Sequence, residues 1–365
     1  MFKELSKIIL NHKKHTPFYI YDQDVISKQI KKIRSAFSDY QNFELLYAIK
    51  ANYSDIVLEE IKKAKIGIAV SSLGELKKVR KNKIKIISYT APFIPKEVVQ
   101  MARKNKVEIN FNNYSELVDS HLDNVGARIN PEVGWSYFKD YQAGSRSSQF
   151  GIPYKEALKM NLSQVSRLHM HTSSDSYQID VFIEGLKRLL LVAEKFPRIT
   201  TINLGGGMAV PIGKNGKEFD VRLYARKIIA LIREFNKRNG RNLKIQIEPG
   251  NYIVRPAGYY ISKVMAVEKK NGKIFYFIDG TKHHLKGLAN VEKIDFVTRA
   301  SKETKASIIG CTCQRSDVFI DYAKIPILNI GDLVIVSMAG AYCLVQSDNF
   351  HLLDKPKEFG FVEPF

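Results

Sequence analysis

The sequence of 365 residues predicts an α/β protein that combines a (β/α)8 barrel with a C-terminal antiparallel β-barrel domain. From about residue 25 to residue 245, short apolar segments alternate with segments of amphipathic, helical periodicity. After residue 250 the pattern changes to β-rich segments separated by turn signals such as Asn271-Gly272. Strands that alternate with helices pair in parallel, and a count of about eight favours a closed barrel over an open sheet.

The barrel prediction depends on short apolar segments bounded by turn residues. In chain order these are FELLYAI, IGIAV, IKIISYT, VEINF, GARINPE, RLHMHTS, TINLGG and LKIQIEPG. The helices predicted between them begin after Tyr53, cover GELKKVRK, PKEVVQMARK and NYSELVDS, and then follow near Val181 and from Val221 to Arg238. These segments define a predicted barrel domain over residues 25–245.

The β domain is predicted from the segments YYISKVMAVEKK, KIFYFID, ASIIGC and DLVIVSM. The segment PFYIYD, from Pro17 to Asp22, reads as a strand before the first barrel helix, and we expect it to join the β domain. The β domain is therefore predicted to be discontinuous, formed by residues 1–24 and 246–365.

The net charge of +20 and the pI near 9.6 raise the possibility of a nucleic-acid partner, because lysine and arginine neutralise phosphates. The lysines are spread along the chain, with pairs such as Lys31-Lys32 and Lys269-Lys270 far apart in sequence. A solvated basic surface is therefore the preferred interpretation, and no nucleic-acid partner is expected. No apolar run is long enough to span a bilayer, so no membrane partner is expected either.

Three cysteines, Cys311, Cys313 and Cys343, are too few and too clustered for a disulfide framework, which fits a reducing compartment. The stretch from Met1 to Lys14 is amphipathic and rich in lysine, without the apolar core of a secretory signal. We therefore expect a cytoplasmic protein.

Chemically informative residues follow several of the predicted strands, where a barrel of this kind places its reactive groups. Lys50 ends ELLYAI, and desolvation there would lower the pKa of its amine and favour a Schiff base. Taken alone, a strand-end surface lysine is the more ordinary interpretation. His169 and His171 in LHMHTSSD are expected to face opposite sides, so that one imidazole faces the barrel interior. The functional interpretation is a neutral imidazole stacked on a cofactor ring, and a hydrogen-bonded core histidine is the more ordinary one.

Two further segments add to this pattern. Gly205-Gly206-Gly207 follows TINL, and consecutive glycines let backbone N–H groups approach a phosphate, although such a run is also typical of a tight turn. Glu248 closes KIQI, where a carboxylate could keep a pyridine nitrogen protonated and make the ring an electron sink. The alternative for Glu248 is an incidental residue of a strand-ending turn.

These residues resemble the fold-type III pyridoxal-phosphate (PLP) decarboxylases, a group with an alanine-racemase-like barrel that includes ornithine and diaminopimelate decarboxylases. The ordered segments TPFYIYD, YAIKAN, SSLGEL, RINP, QFGI, LHMHTSSD, LGGGMAVP and EPGNY carry the resemblance across nearly the whole chain. The resemblance implies that Lys50 holds PLP as a Schiff base, His171 stacks on its ring and Glu248 pairs with the pyridine nitrogen. It also implies further cofactor contacts from Arg128, beside the cofactor, and from Ser174, Gly207, Gly250 and Tyr342, at the phosphate.

The segments GCTCQRSDVF and AGAYC resemble the family's Cys-x-x-x-Asp and Gly-Ala-Tyr motifs. By this resemblance Cys313 acts from the partner subunit and returns a proton to the α-carbon after CO2 leaves, which implies a homodimer with shared active sites. Asp317 and Gln314 are then expected near the substrate. A zinc site formed by Cys311 and Cys313 with His283 and His284 is the competing interpretation. Cys-x-Cys without a second cysteine pair is a poor zinc pattern, and no metal is expected.

Three departures from the family pattern concern the amino-acid substrate. Asn251 stands where the family usually has arginine after Glu-Pro-Gly, Ala69 where it has an acidic residue, and Gln314 where ornithine decarboxylases carry an acid. The run IDGTKHHLKGLAN and the segment GAYCLVQSDNFHLLDKPKEF look more like siderophore-biosynthesis decarboxylases. The expected substrate is therefore an N-acylated diamino acid such as citryl-ornithine or citryl-diaminopropionate, and the alternative is diaminopimelate, ornithine or lysine.

Three rival functions remain open from the sequence. A PLP-dependent racemase needs a second base opposite Lys50, which the Cys313 segment does not obviously supply. A PLP-carrier protein is usually a barrel alone, so the β domain counts against it. A nucleic-acid-binding protein is favoured only by the net charge.

Overall fold

The structure is a computed structural model that describes residues 2–82, 84, 87–104, 107–135, 142–211, 217–288 and 293–362, with the side chains of residues 2–4 left aside. Two residues of the predicted strand IKIISYT and the last two of IDGTKHHLKGLAN lie outside the described residues. The strands are β1 Phe18–Asp22, β2 Phe43–Ala48, β3 Gly67–Val70, β4 Ile87–Thr90, β5 Glu108–Phe111, β6 Val125–Asn130, β7 Ile152–Pro153, β8 Val165–His169, β9 Thr201–Asn203, β10 Lys244–Ile247, β11 Gly258–Lys270, β12 Lys273–Ile278, β13 Ile294–Val297, β14 Glu303–Ile309, β15 Val318–Pro326, β16 Leu333–Ser337 and β17 Lys357–Phe361. The α-helices are α1 Phe2–His12, α2 Gln23–Ala36, α3 Asp55–Lys63, α4 Leu73–Lys81, α5 Lys96–Arg103, α6 Tyr114–Asp119, α7 Tyr154–Ala157, α8 Ile179–Lys195, α9 Val221–Asn239, α10 Asn251–Val254 and α11 Cys343–Gln346.

Eight parallel strands form a closed barrel. The order β5-β4-β3-β2-β10-β9-β8-β6 is completed by pairing between β5 and β6, while the short strand β7 pairs with β6 outside the ring. The strands are short and mostly buried, because helices cover their outer side and the barrel interior is packed with side chains. The predicted (β/α)8 barrel is confirmed.

The longest barrel helices show how local sequence sets their ends. The Asp220 side chain accepts a hydrogen bond from the Leu223 backbone N–H at 2.9 Å, which caps the start of α9. Gly240 ends α9 in the left-handed region, with φ of 62°, a conformation that glycine adopts without strain. The apolar faces of α8 and α9 pack into the main hydrophobic core.

The β domain is a second sheet, in which β13, β16, β11, β12, β14 and β15 are neighbours in that order. Strand β1 also pairs with β11 and β17, so segments from both ends of the sequence lie in this sheet. The predicted β domain is present, but the sheet is mixed instead of purely antiparallel. The β1–β17 and β12–β14 pairs are parallel, because long connections separate the members of each pair along the chain.

Within the part of the chain that the structure describes, no helix combines the length and the apolar character that a membrane crossing requires.

Candidate active site

A cavity of about 510 Å³ lies where the carboxyl ends of the barrel strands meet residues of the β domain. It gathers all eight residues that the sequence prediction assigned to a cofactor: Lys50, Arg128, His171, Ser174, Gly207, Glu248, Gly250 and Tyr342. The groups come from segments up to about 290 residues apart in sequence, so the barrel topology brings them together.

Lys50 follows β2 in a single 3-10 turn, and its amine faces the cavity. Desolvation lowers the pKa of Lys50, and the positive charge of Arg128 lowers it further. The carboxylates of Glu248 and Glu75 partly oppose this shift. An amine with a lowered pKa has a larger unprotonated fraction at neutral pH, which is the form that attacks an aldehyde.

Glu248 follows β10 and is held by a network of buried polar side chains. Asn203 Nδ2 donates to Glu248 Oε1 at 2.7 Å, Ser88 Oγ donates to the same oxygen at 3.2 Å, and His169 Nε2 lies 3.2 Å from Oε2. Burial raises the pKa of Glu248, but the charge and hydrogen bond of His169 and the hydrogen bond of Asn203 outweigh it, so the net shift is downward. Glu248 is therefore a fixed carboxylate with acceptor capacity left for one more donor.

His169 and His171 line the same cavity, so the expectation that they face opposite sides was wrong. Side chains two residues apart on a strand share a face, and here β8 ends at His169 with His171 just beyond it. Burial lowers the pKa of His171 well below 6.5, and the charges of Lys50 and Arg128 add to the shift. Its Nε2 lies 3.3 Å from Ser174 Oγ. His171 is therefore a neutral imidazole at neutral pH.

Glycines form one wall of the cavity. Gly207 has a φ of 102°, and a Cβ atom built on it would lie 1.8 Å from the carbonyl oxygen of Ser173. A Cβ atom on Gly250 would lie 2.8 Å from the Ala51 side chain. Only glycine fits at these two positions, which leaves bare backbone facing the cavity. The Tyr342 backbone, also in the left-handed region, donates its N–H to the Ala51 carbonyl at 2.8 Å.

Arg128 lies within β6, two residues before the strand ends, and 9% of its surface is exposed. Its guanidinium lies over the Phe150 ring, 4.7 Å from the ring centroid. Burial lowers the pKa of Arg128 to about 10, and the charge of Glu248 opposes the shift. The group stays protonated at neutral pH and supplies positive potential to the cavity.

Cys313, Gln314 and Asp317 do not line this cavity in their own chain. Cys313 is exposed, and Gln314 Oε1 lies 2.6 Å from His283 Nε2. The Asp317 carboxylate is 2% exposed and accepts hydrogen bonds from the Lys282 N–H and from the N–H and hydroxyl of Thr312. These bonds favour a role for Asp317 in holding the loop, and its predicted substrate contact stays a prediction.

The sequence prediction missed several polar residues of the site. Asn203 and Ser88 are buried polar side chains of the barrel strands β9 and β4, and polar residues in such strands were a usable signal for groups that face the barrel interior. Asp175, Asn251 and Arg255 also line the cavity, and they are joined in a chain of hydrogen bonds through Asn251. No sequence pattern predicted that chain.

A second cavity of about 620 Å³ lies on the β domain, where Lys282, Arg315 and Ser316 contribute to its lining. It contains none of the predicted cofactor residues. Across the described ranges, no group of three or more histidine, cysteine or acidic side chains is arranged to hold a metal ion.

Comparison with known families gives one match over most of the barrel. Residues 23–255 match the family described as pyridoxal-dependent decarboxylase, pyridoxal binding domain. A diaminopimelate decarboxylase of Buchnera aphidicola from Acyrthosiphon pisum is 26% identical over 368 residues, covering 92% of this chain and 86% of the relative. A diaminopimelate decarboxylase of Methanothermobacter thermautotrophicus is 26% identical over 375 residues, covering 94% of this chain and 86% of the relative.

Solved structures share the two-domain fold. Diaminopimelate decarboxylase from Helicobacter pylori, complexed with L-lysine, superposes with a TM-score of 0.85 at 24% identity, covering 95% of this chain and 91% of the other. The lysine/ornithine decarboxylase of Vibrio vulnificus, complexed with cadaverine, gives 0.83 at 20% identity, with 98% of both chains covered. At these identities the likeness establishes the fold.

Proposed function

The chain belongs to the pyridoxal-dependent decarboxylase family, and from this membership we propose that the eight cavity residues predicted from the sequence hold its cofactor and orient its substrate. The protein is a PLP-dependent amino-acid decarboxylase, a carboxy-lyase. The observation that carries the proposal is the convergence in one cavity of an amine with a lowered pKa, a fixed carboxylate, a neutral imidazole and bare glycine backbone.

The residues of the cavity fit PLP. When bound, the cofactor withdraws electrons from the substrate α-carbon, so that the bond to the carboxylate can break. Lys50 offers the amine that binds an aldehyde, and Glu248 offers the acceptor that a protonated pyridine nitrogen needs. The neutral, flat imidazole of His171 is suited to stacking on the ring, because it adds no charge that would repel the pyridinium.

Hydrogen bonds from neighbouring side chains hold Glu248 and His171 in position. His169, Asn203 and Ser88 fix the Glu248 carboxylate, so its orientation does not change when the cofactor binds. Ser174 orients the His171 ring through Nε2. In this proposal the protein positions the reacting groups and supplies the electrostatic environment around the cofactor.

We propose that Cys313 of a neighbouring subunit returns the proton to the substrate α-carbon. In its own chain this thiol is exposed and does not line the cavity, so it would need to reach the cavity of a second copy. The loop that carries Cys313 is held by the carboxylate of Asp317 and by the contact of Gln314 with His283. A rigid, exposed loop is suited to donating a group across a subunit interface.

For the substrate, we propose a free amino acid with a second ionisable group, of the diaminopimelate, lysine or ornithine class. The support is the activity of the relatives, which are diaminopimelate decarboxylases. These relatives give no support to the expected likeness to siderophore-biosynthesis enzymes.

An N-acylated diamino acid, such as citryl-ornithine, remains a second candidate because of Gln314. This residue follows Cys313 and carries no charge, so the loop lacks the acid that would pair with a free distal amine. An acylated amine has no charge and does not require that acid.

Lys50 is tested by trapping the cofactor. Purified protein incubated with PLP is expected to show a visible absorbance band, and borohydride followed by peptide mass spectrometry should place the adduct on Lys50. Lys50→Ala should lose the adduct and the activity, whereas Lys63→Ala, an exposed lysine on α3, should keep both. An adduct on another lysine would overturn the assignment.

Substrate choice is tested by measuring CO2 and amine release from diaminopimelate, lysine, ornithine, citryl-ornithine and citryl-diaminopropionate in parallel. We expect the highest kcat/KM for one of the three free amino acids. A preference for a citryl compound would establish the second candidate instead. Racemisation without CO2 release would contradict the decarboxylase assignment itself.

A further inference from the structure

The geometry points to Arg255 as the cationic ligand for the phosphate of the bound cofactor, with Asn251 holding its guanidinium in position. This inference rests on the proposed location of PLP in the cavity. It adds a positively charged side chain to the phosphate contacts expected from the sequence, which were Ser174, Gly207, Gly250 and Tyr342.

Arg255 is the residue that follows α10, and it is a buried member of the cavity wall with 8% of its surface exposed. Its Nε donates to Asn251 Oδ1 at 2.5 Å, and its Nη2 donates to the Gly287 carbonyl at 3.3 Å. Among the described residues, the remaining N–H groups of the guanidinium have no acceptor. These unused donors are available to a ligand that brings acceptor atoms into the cavity.

Arg255 also lacks a counterion. No carboxylate oxygen of the described residues lies within ion-pair distance of it. Asp175, which Asn251 links to Arg255, directs its Oδ1 to Asn251 Nδ2 instead. Burial raises the pKa of Asp175, which disfavours its negative charge, while Arg255 opposes the shift. Among the described residues Arg255 therefore has no direct ion-pair partner, and an anionic ligand in the cavity would supply one.

The other cavity cations have different surroundings. Lys286 forms an ion pair with Asp348, and Arg128, within β6, lies over the Phe150 ring. Arg255 instead follows Gly250 by five residues, and its Gly287 partner packs against Tyr342, since a Cβ on Gly287 would lie 2.4 Å from the Tyr342 carbonyl carbon. Arg255 is therefore the cation next to the predicted phosphate contacts.

The sequence explains why the arginine stands at this position. The family pattern has arginine directly after Glu-Pro-Gly, where this chain has Asn251, and Arg255 is four residues further along. Residues four apart on a helical turn share a face, so both positions can present a side chain to the same point. Asn251 then becomes a positioning residue, because its Oδ1 accepts from Nε and leaves the other edge of the guanidinium for a phosphate.

The test compares PLP with pyridoxal, which lacks the phosphate. Apo-protein is titrated with each compound, and the visible absorbance gives two dissociation constants for wild type, Arg255→Gln, Arg255→Lys and the double variant Asn251→Arg/Arg255→Gln. We expect Arg255→Gln to raise the Kd for PLP about 10- to 100-fold, the usual loss for a hydrogen bond to a charged group, and to leave the Kd for pyridoxal unchanged. Arg255→Lys should lose less, and the double variant should recover PLP affinity.

A measurement on the wild-type protein keeps the inference testable if a variant fails to fold. Inorganic phosphate should compete with PLP and should not compete with pyridoxal. Equal loss of PLP and pyridoxal binding in Arg255→Gln would indicate a structural role and overturn the inference. An unchanged Kd for PLP with a raised KM for the amino acid would assign Arg255 to the substrate carboxylate instead. Wild type that binds neither compound would refute the proposed function.

Discussion

At the scale of single residues, burial sets the protonation of several side chains. His284 is 2% exposed, and Tyr260 Oη lies 2.9 Å from its Nδ1. Burial is the largest cause that lowers the pKa of His284 from 6.5 to about 4, with the charge of Asp317 opposing it. The folded protein therefore keeps this ring neutral at a pH where an unfolded histidine is charged.

The sign of the resulting pH dependence follows from proton binding. Between pH 6.5 and about 4 the unfolded chain binds a proton at position 284 that the folded chain does not bind. The free energy of unfolding therefore falls as pH falls through this window, by ~1.4 kcal/mol per unit, or ~2 kcal/mol at about pH 5. Urea unfolding at about pH 7.5 and about pH 5 measures this loss.

The matched variant is His284→Asn, which keeps an acceptor for the Tyr260 hydroxyl and removes the titrating group. Its loss of stability between the two pH values should be smaller than that of wild type by ~2 kcal/mol. Equal losses in the two proteins would mean that His284 does not titrate in this way.

The site could be predicted from sequence only where a residue type was unusual for its position. Lys50 and Glu248 closely follow barrel strands, so their location at the barrel mouth followed from the fold. Arg255 could not be found, because its role depends on the hydrogen bond to Asn251 and on the lack of a carboxylate within ion-pair distance among the described residues. Both features arise from the tertiary structure, so the sequence alone does not reveal them.

At the scale of elements, two glycines with positive φ differ in how closely other backbone atoms approach them: Gly207 lies after strand β9, and Gly240 ends helix α9. Gly207 and Gly240 both have positive φ, at 102° and 62°. A Cβ on Gly207 would strike the Ser173 carbonyl, whereas Gly240 has no atom within 4 Å of such a Cβ. Replacing Gly240 therefore tests backbone strain alone, whereas replacing Gly207 adds a steric clash to the strain.

We expect Gly240→Ala to lower the free energy of unfolding by about 1 kcal/mol, the ordinary penalty of the left-handed region, and to leave the Kd for PLP unchanged. Gly207→Ala should lower both stability and PLP affinity, because the loop must move away from Ser173. Urea titration and PLP titration of both variants check this. Similar PLP affinity in the two variants would remove Gly207 from the cofactor wall.

The barrel strands were predictable because they are short, mostly buried segments bounded by turn residues and separated by helical periodicity. Strand β15 was not specified from the sequence, and its burial explains why. Residues 321–324 in its middle are exposed, and Asp321 and Lys324 interrupt any apolar pattern. Its pairing with β14 is set by tertiary contact more than by its own sequence.

At the scale of the whole molecule, the proposed dimer makes a quantitative prediction. Lys50→Ala and Cys313→Ala subunits are each expected to be inactive alone. In a mixed dimer, one active site would receive a wild-type Lys50 and a wild-type Cys313, and the other would lack both. Random mixing should therefore restore about a quarter of wild-type activity.

The measurement is CO2 release after the two variants are unfolded together and refolded. Each variant refolded alone serves as the control. Complete lack of recovery, with mixed dimers present by mass spectrometry, would show that the two residues act within one chain. The predicted cytoplasmic location and the absence of a nucleic-acid partner stay predictions, and salt-dependent DNA binding would test the second.

The pairing of β1 with β17 has a consequence for synthesis on the ribosome. Phe18 lies opposite Lys357 in a parallel pair, so one partner is translated more than 330 residues before the other. At 5–20 residues per second, this delay is roughly 20 to 70 seconds. During that time strands β2 to β10 can form the closed barrel, while the edge of β1 that pairs with β17 stays unpaired. An exposed edge of this kind invites pairing with other chains, so nascent protein is expected to depend on chaperones until translation ends.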